Sequence, residues 1–178
     1  MEIVAGRTEV SDVGSFVETL DDIAASHGVV VQAFDVQYVV DRTHLRRAVD
    51  LAARARDRGE AIADDAGVEM LLYAAGRRQI NRALESGVSA GERAVVAVAV
   101  DLSAHDWTAE SAEATADEQA ATADIVDALD DPDASVVGEY DPESVRSYFD
   151  VTDRELDATR GDLADIVHER VALLVVER

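Results

Sequence analysis

The chain contains no cysteine, no lysine, only two prolines and few aromatic residues, 4% of the total. Without cysteine there is neither a disulfide framework nor a thiolate metal site, which fits a reducing interior. Without lysine no phosphate-binding GxxxxGK[ST] loop can be completed. Scarce aromatics leave the core to Val, Ala, Leu and Ile. No apolar run approaches the roughly 18 residues of a membrane span, and MEIVAGRTEV has neither a basic lead nor a long apolar stretch. The expectation is a soluble, cytoplasmic chain with no membrane partner. At 178 residues and 48% hydrophobic, it suits one compact domain.

What the chain has in excess is acid. Thirty-eight acidic residues face 16 basic ones, all arginine, for a net charge of −22, where roughly 2–8 charges suffice for solubility. The acids are spread along the whole chain. That favours a surface adapted to molar salt, where repulsion is screened within about 3 Å, over a single nucleic-acid-mimicking tail. The spread is uneven. Residues 101–135 hold eleven acids and no arginine, whereas residues 42–82 hold nine arginines against six acids.

Periodicity predicts an α/β fold, a mixed sheet covered by helices, with residues 136–178 as a C-terminal helical extension. Residues 2–5, VVVQAF, VQYVV and MLLYAA read as strands, and residues 95–100 as a central one. Ser15 with Glu18 predicts a capping box for a helix ending at His27-Gly28, and Thr43 predicts the cap of another ending at Gly59. Beyond Gly76 a helix is expected to bury Ile80, Ala83 and Leu84. In the acidic segment one is expected at residues 123–129. Asp141-Pro142, Thr152 with Glu155, and Asp162 mark three further starts.

The strand–Gly76–helix junction is the best chemical candidate. A helix start offers free N–H groups and a positive dipole end to a phosphate. Arg77 and Arg78 stand in its first turn, Arg78 and Arg82 can flank one groove, and Gln79 and Asn81 can read base or sugar edges. An ordinary turn with solvated arginines fits the same residues, and both readings stay open. His27, His44, His105 and His168 share no metal spacing and no serine sits in a GxSxG elbow, so no catalytic, metal or cofactor site stands out. In the last helix, Leu163, Ile166, Val167, Val171 and Leu174 face inward, while Leu173, Val175 and Val176 are left for a partner. Core and partner readings of that helix are both open.

Together, QAFDVQYVVDRTHLRRAVDLAARA, IADDAGVEMLLYAAGRRQINRALESGV and the closing ERVALLVVE resemble the small kinase-binding subunit of the KEOPS complex, the PRPK-binding protein family, in its archaeal form. LLYAAGRRQI is the most specific piece, and residues 101–135 are the least family-like. The resemblance implies an α/β protein without catalysis of its own. It also implies docking on the complex's kinase/ATPase subunit and binding of the tRNA 3′ acceptor tail during threonylcarbamoyladenosine formation. Carried over by position, RNA binding falls on Gly76, Arg77, Arg78, Gln79 and Arg82, joined by Arg58. Kinase docking falls on Val167, Val171, Leu174 and Val175. Two alternatives are a small α/β enzyme or sensor binding a phosphorylated metabolite or nucleotide at Gly76–Arg77, and an adaptor that has lost RNA binding.

Overall fold

A computed structural model describes residues 1–106 and 113–175. Val176, expected to face a partner, lies outside the described residues. Four strands form one sheet: β1 (Glu2–Val10), β2 (Val30–Asp35), β3 (Gly91–Val100) and β4 (Asp131–Pro132), in the order β2-β3-β1-β4. Each pairing is antiparallel; Glu2 faces Ala99 across β1 and β3, and Val30 faces Val100 across β2 and β3. β3 is central, as its unbroken apolar run predicts. It is buried on both faces because helices cover both.

On one face, Val95, Ala97 and Ala99 meet α1 (Val13–His27) and α5 (Ala116–Asp127). On the other, Val96, Val98 and Val100 join Ala5 and Phe34 in the larger core. That core takes in α2 (Arg42–Asp57), α3 (Ala66–Ala75), α6 (Pro142–Tyr148) and α8 (Leu163–Leu173). The C-terminal helices thus share the core of the sheet. Between these elements lie α4 (Ile80–Ala83) and α7 (Asp153–Ala158). No described helix is long and apolar enough to cross a membrane.

Five of the eight α-helices among the described residues start on an aspartate: Asp12, Asp41, Asp65, Asp141 and Asp162. Each carboxylate accepts a backbone N–H of the first turn and complements the positive end of the dipole. The expected starts at Asp141, Thr152 and Asp162 are found. Two others move. Asp12 takes the Ser15 N–H at 2.7 Å, so α1 begins ahead of the Ser15–Glu18 pair, and Asp41, not Thr43, takes the His44 N–H at 2.7 Å.

Three strand and helix assignments are corrected. MLLYAA is helical. Asp65 caps its helix through the Val68 N–H at 2.8 Å, and burial on nearly every side makes α3 apolar all round, which hides the helical period. VQYVV is a 3-10 turn over Val36–Tyr38, with Asp35 accepting the Gln37 N–H. The helix in the acidic segment starts at Ala116 rather than 123, on a Thr115–Glu118 capping box; it buries only Glu118, Ala121 and Ile125, too few apolar residues for a visible stripe.

Candidate nucleic-acid and partner interface

Gly76 closes α3 rather than opening a helix. It is left-handed (φ 58°, ψ 31°), and the Arg77 N–H returns to Leu72 O at 3.1 Å, the six-to-one bond of a Schellman end. A Cβ here would also lie 3.3 Å from the backbone of Arg170 in α8, so both conformation and packing demand glycine. The arginines therefore follow a helix C-terminus, whose negative dipole end favours them. The expected anion site at a helix start is not formed. α4, with four residues, begins at Gln79 with no side-chain cap.

The arginine segment splits in three directions. Arg77 turns inward: its guanidinium donates to Tyr148 O and to Asp150 Oδ2 at 2.9 Å, 5.3 Å from the Tyr148 ring centre. It clamps the corner between α6 and α7, where Asp150 has a left-handed φ of 54°. Arg82 pairs with Glu85 at 3.0 Å on the surface. Ile80 and Leu84, expected inside, are 46% and 54% exposed, because α4 and the turn after it present only Ala83 and Ser86 to the core. Gln79 is exposed beside them.

Arg78 enters a groove of about 270 Å³ lined with Glu60, Ile62, Tyr73 and Val175. An adjoining cleft of about 60 Å³ shares Glu60, Tyr73 and Val175 and adds Leu51, Arg54, Ala55 and Arg58. Of the expected RNA-binding residues, the fold thus sets Arg78 in the groove and Arg58 in the adjoining cleft that shares Tyr73 with it, and adds Arg54 to the cleft. Arg77 and Arg82 point elsewhere. Burial raises the Tyr73 hydroxyl pKa, Glu69 and Glu60 add to the rise, and Arg78 opposes it.

The groove wall is held from beneath. Glu69, fully buried, accepts the N–H of Ile62 at 2.9 Å and of Ala63 at 2.7 Å. Arg56 reaches Ala63 O at 3.2 Å and Asp64 O at 2.9 Å. Sequence reading missed the role of Glu69, because with MLLYAA taken as a strand nothing turned its carboxylate toward residues 62–63.

Most of the residues expected at the docking surface fall in the chain's own packing. Val167, Val171 and Leu174 are buried at 0–1% exposure inside the chain's own core, since their stripe is the one that packs on α2 and α3. Leu173 and Val175, at 39% and 38%, are the apolar residues that this end of α8 presents outward, and Val175 also borders the arginine groove.

Three of the four histidines pair singly with aspartates, His27 with Asp124 at 2.6 Å, His105 with Asp50 at 2.8 Å and His168 with Asp41 at 3.0 Å. Among the described residues no three His, Asp or Glu side chains gather as a metal site.

No individual curated protein matches the chain. The family model described as kinase binding protein CGI-121 matches residues 8–174, nearly the whole length and every element from the end of β1 to α8. That agrees with the kinase-binding resemblance carried by LLYAAGRRQI and its neighbours. The chain belongs to the CGI-121 family of kinase-binding proteins.

Proposed function

We propose that this protein is a non-catalytic subunit of a KEOPS-type complex that forms threonylcarbamoyladenosine on tRNA. It docks on the kinase/ATPase subunit through the exposed side of α8, at Leu173 and Val175. It holds the 3′ acceptor tail of tRNA along the groove of Arg54, Arg58, Arg78 and Tyr73, with Gly76 and Gln79 at its rim and Arg82 beyond. The observation that carries the RNA reading is that three arginines, Arg78 in one groove and Arg54 and Arg58 in the adjoining cleft, line a surface that shares Tyr73 in a protein of charge −22. Arginine forks bind phosphate bidentately and stack on unpaired bases, and both contacts persist where salt weakens simple charge attraction. The arginine-only, acid-rich composition supports the salt-adapted archaeal form.

The test compares intact tRNA with tRNA lacking its 3′ tail, for wild type and Arg58→Glu/Arg78→Glu. Tail-dependent binding that the double variant abolishes is the expected result. Equal binding of both RNAs, or full binding by the variant, overturns the RNA reading. Leu173→Asp/Val175→Asp is expected to abolish co-purification with the kinase subunit while leaving the fold intact.

A further inference from the structure

Behind the arginine segment, His44, Asp41 and His168 form a cluster whose ring contacts do not enter the groove. His44, in the first turn of α2, is 1% exposed. Its Nε2 lies 2.7 Å from Ala74 O, so that nitrogen carries the proton and donates. Nδ1 is buried without a hydrogen-bond partner. The ring meets Phe149 edge-on at 5.9 Å. Asp41 accepts the His44 backbone N–H at 2.7 Å and faces His168 Nε2 at 3.0 Å. The titratable groups around the ring are therefore Asp41, which caps α2, and His168 of α8; α3 offers a carbonyl, and the end of α6 offers Phe149.

Ala74 stands two residues before Gly76, in the last turn of α3, where carbonyls lack intrahelical donors. The His44 bond fixes that turn from one side, and the Gly76–Arg170 contact fixes it from the other. Arg78 leaves from this doubly held point.

We propose, resting on the groove reading above, that His44 is the positioning residue of the arginine segment: it holds the last turn of α3 so that Arg78 enters the groove, and proton uptake by its ring releases that hold. A proton added at Nδ1 would place a cationic N–H among apolar neighbours with no acceptor. Burial accordingly pushes the imidazole down to about 4; the Ala74 carbonyl works against this fall, His168 deepens it, and Asp41 again opposes it. Near pH 7 the ring is neutral and the hold intact. The expected loss of RNA binding on acidification follows from the site at Nδ1: a cationic ring with no acceptor there is driven out of its apolar surroundings and takes the Nε2–H away from Ala74 O.

The experiment uses the full chain, with His44→Gln to restore a side-chain N–H donor and His44→Leu to remove it. At pH 7 the Gly76 and Arg77 amides are expected to exchange with solvent at least tenfold faster in His44→Leu than in wild type. In His44→Gln they stay near wild type, and the β3 amides are unchanged in both. Binding of tail-bearing tRNA falls severalfold in His44→Leu and recovers in His44→Gln. As pH is lowered, the wild-type Gly76 and Arg77 amide signals move together with the His44 ring signal, while in His44→Gln they stay still.

Wild-type exchange at Gly76 and Arg77 in His44→Leu overturns the proposal, and so does an unchanged pH response in His44→Gln. Should His44→Leu fail to fold, the pH comparison between wild type and His44→Gln decides alone. If Arg58→Glu/Arg78→Glu leaves tRNA binding intact, the RNA reading fails, and the exchange and titration results still judge His44.

Discussion

The Arg77 guanidinium lies 5.3 Å from the centre of the Tyr148 ring and donates to the carbonyl of the same residue. Arg78, its neighbour, is exposed and enters the groove. Adjacent arginines of one motif thus do different work. Arg77→Ala is expected to cost about 2 kcal/mol in urea unfolding, through the lost cation–π contact and the unpaired carbonyl. Arg78→Ala is expected to cost within about 0.5 kcal/mol and to weaken tRNA binding instead. The reverse pattern would place the RNA contact on Arg77.

Glu69→Ala removes the acceptor of two backbone N–H groups of the groove wall, Ile62 and Ala63. Leaving such donors unsatisfied costs about 1–3 kcal/mol each, so a loss of about 3 kcal/mol is expected. Hydrogen exchange should report it as faster exchange at residues 60–64.

Gly76→Ala forces a Cβ into a left-handed residue and to 3.3 Å from Arg170. A destabilisation of about 1–3 kcal/mol is expected by calorimetry. Asn, which tolerates the left-handed region better, would still meet α8, so Gly76→Asn should recover little of the loss.

The acid response has a defined sign. His44 titrates at about 4 in the fold against 6.5 in the unfolded chain. The unfolded chain therefore binds the proton first. Stability from this group is full above pH 6.5 and falls as pH drops from 6.5 to 4, by as much as about 3 kcal/mol. Glu155 acts lower: the Thr152 N–H foremost, then Arg170 and the Thr152 hydroxyl, hold it at about 2. Its contribution is present above its ordinary value and lost as pH falls through about 2. Unfolding curves of wild type and His44→Gln should separate between pH 6.5 and 4 and run parallel above.

Replacing Arg58 and Arg78 by lysine keeps charge but removes the planar fork. Binding of tail-bearing tRNA is expected to fall more steeply with salt in Arg58→Lys/Arg78→Lys than in wild type. Equal slopes over one salt range would show that the contact is simple charge attraction.

The sequence carried much of this fold where pattern and chemistry coincide. β3 is legible because residues 95–100 are apolar without a break, and α6, α7 and α8 because Asp141, Thr152 and Asp162 sit at the right distance from their first turns. The site was half legible. Arginines stood out against an acidic chain, yet their directions depended on α3, whose burial on nearly every side erases the period that would identify it. Misreading that one helix placed Arg77 and Arg78 at the wrong end of a dipole. The inward stripe of α8 was visible in the spacing, and Val167, Val171 and Leu174 are buried as it predicts.

The aspartates that open the helices bear on attempts to moderate this protein's charge. Asp12, Asp41, Asp65, Asp141 and Asp162 contribute to the negative total, but each also marks where a helix begins. Acidity here doubles as punctuation. Trimming it at random would blur the boundaries between elements, whereas trimming glutamates on exposed helix sides, such as Glu169, would change only the volume at which the surface speaks to its solvent.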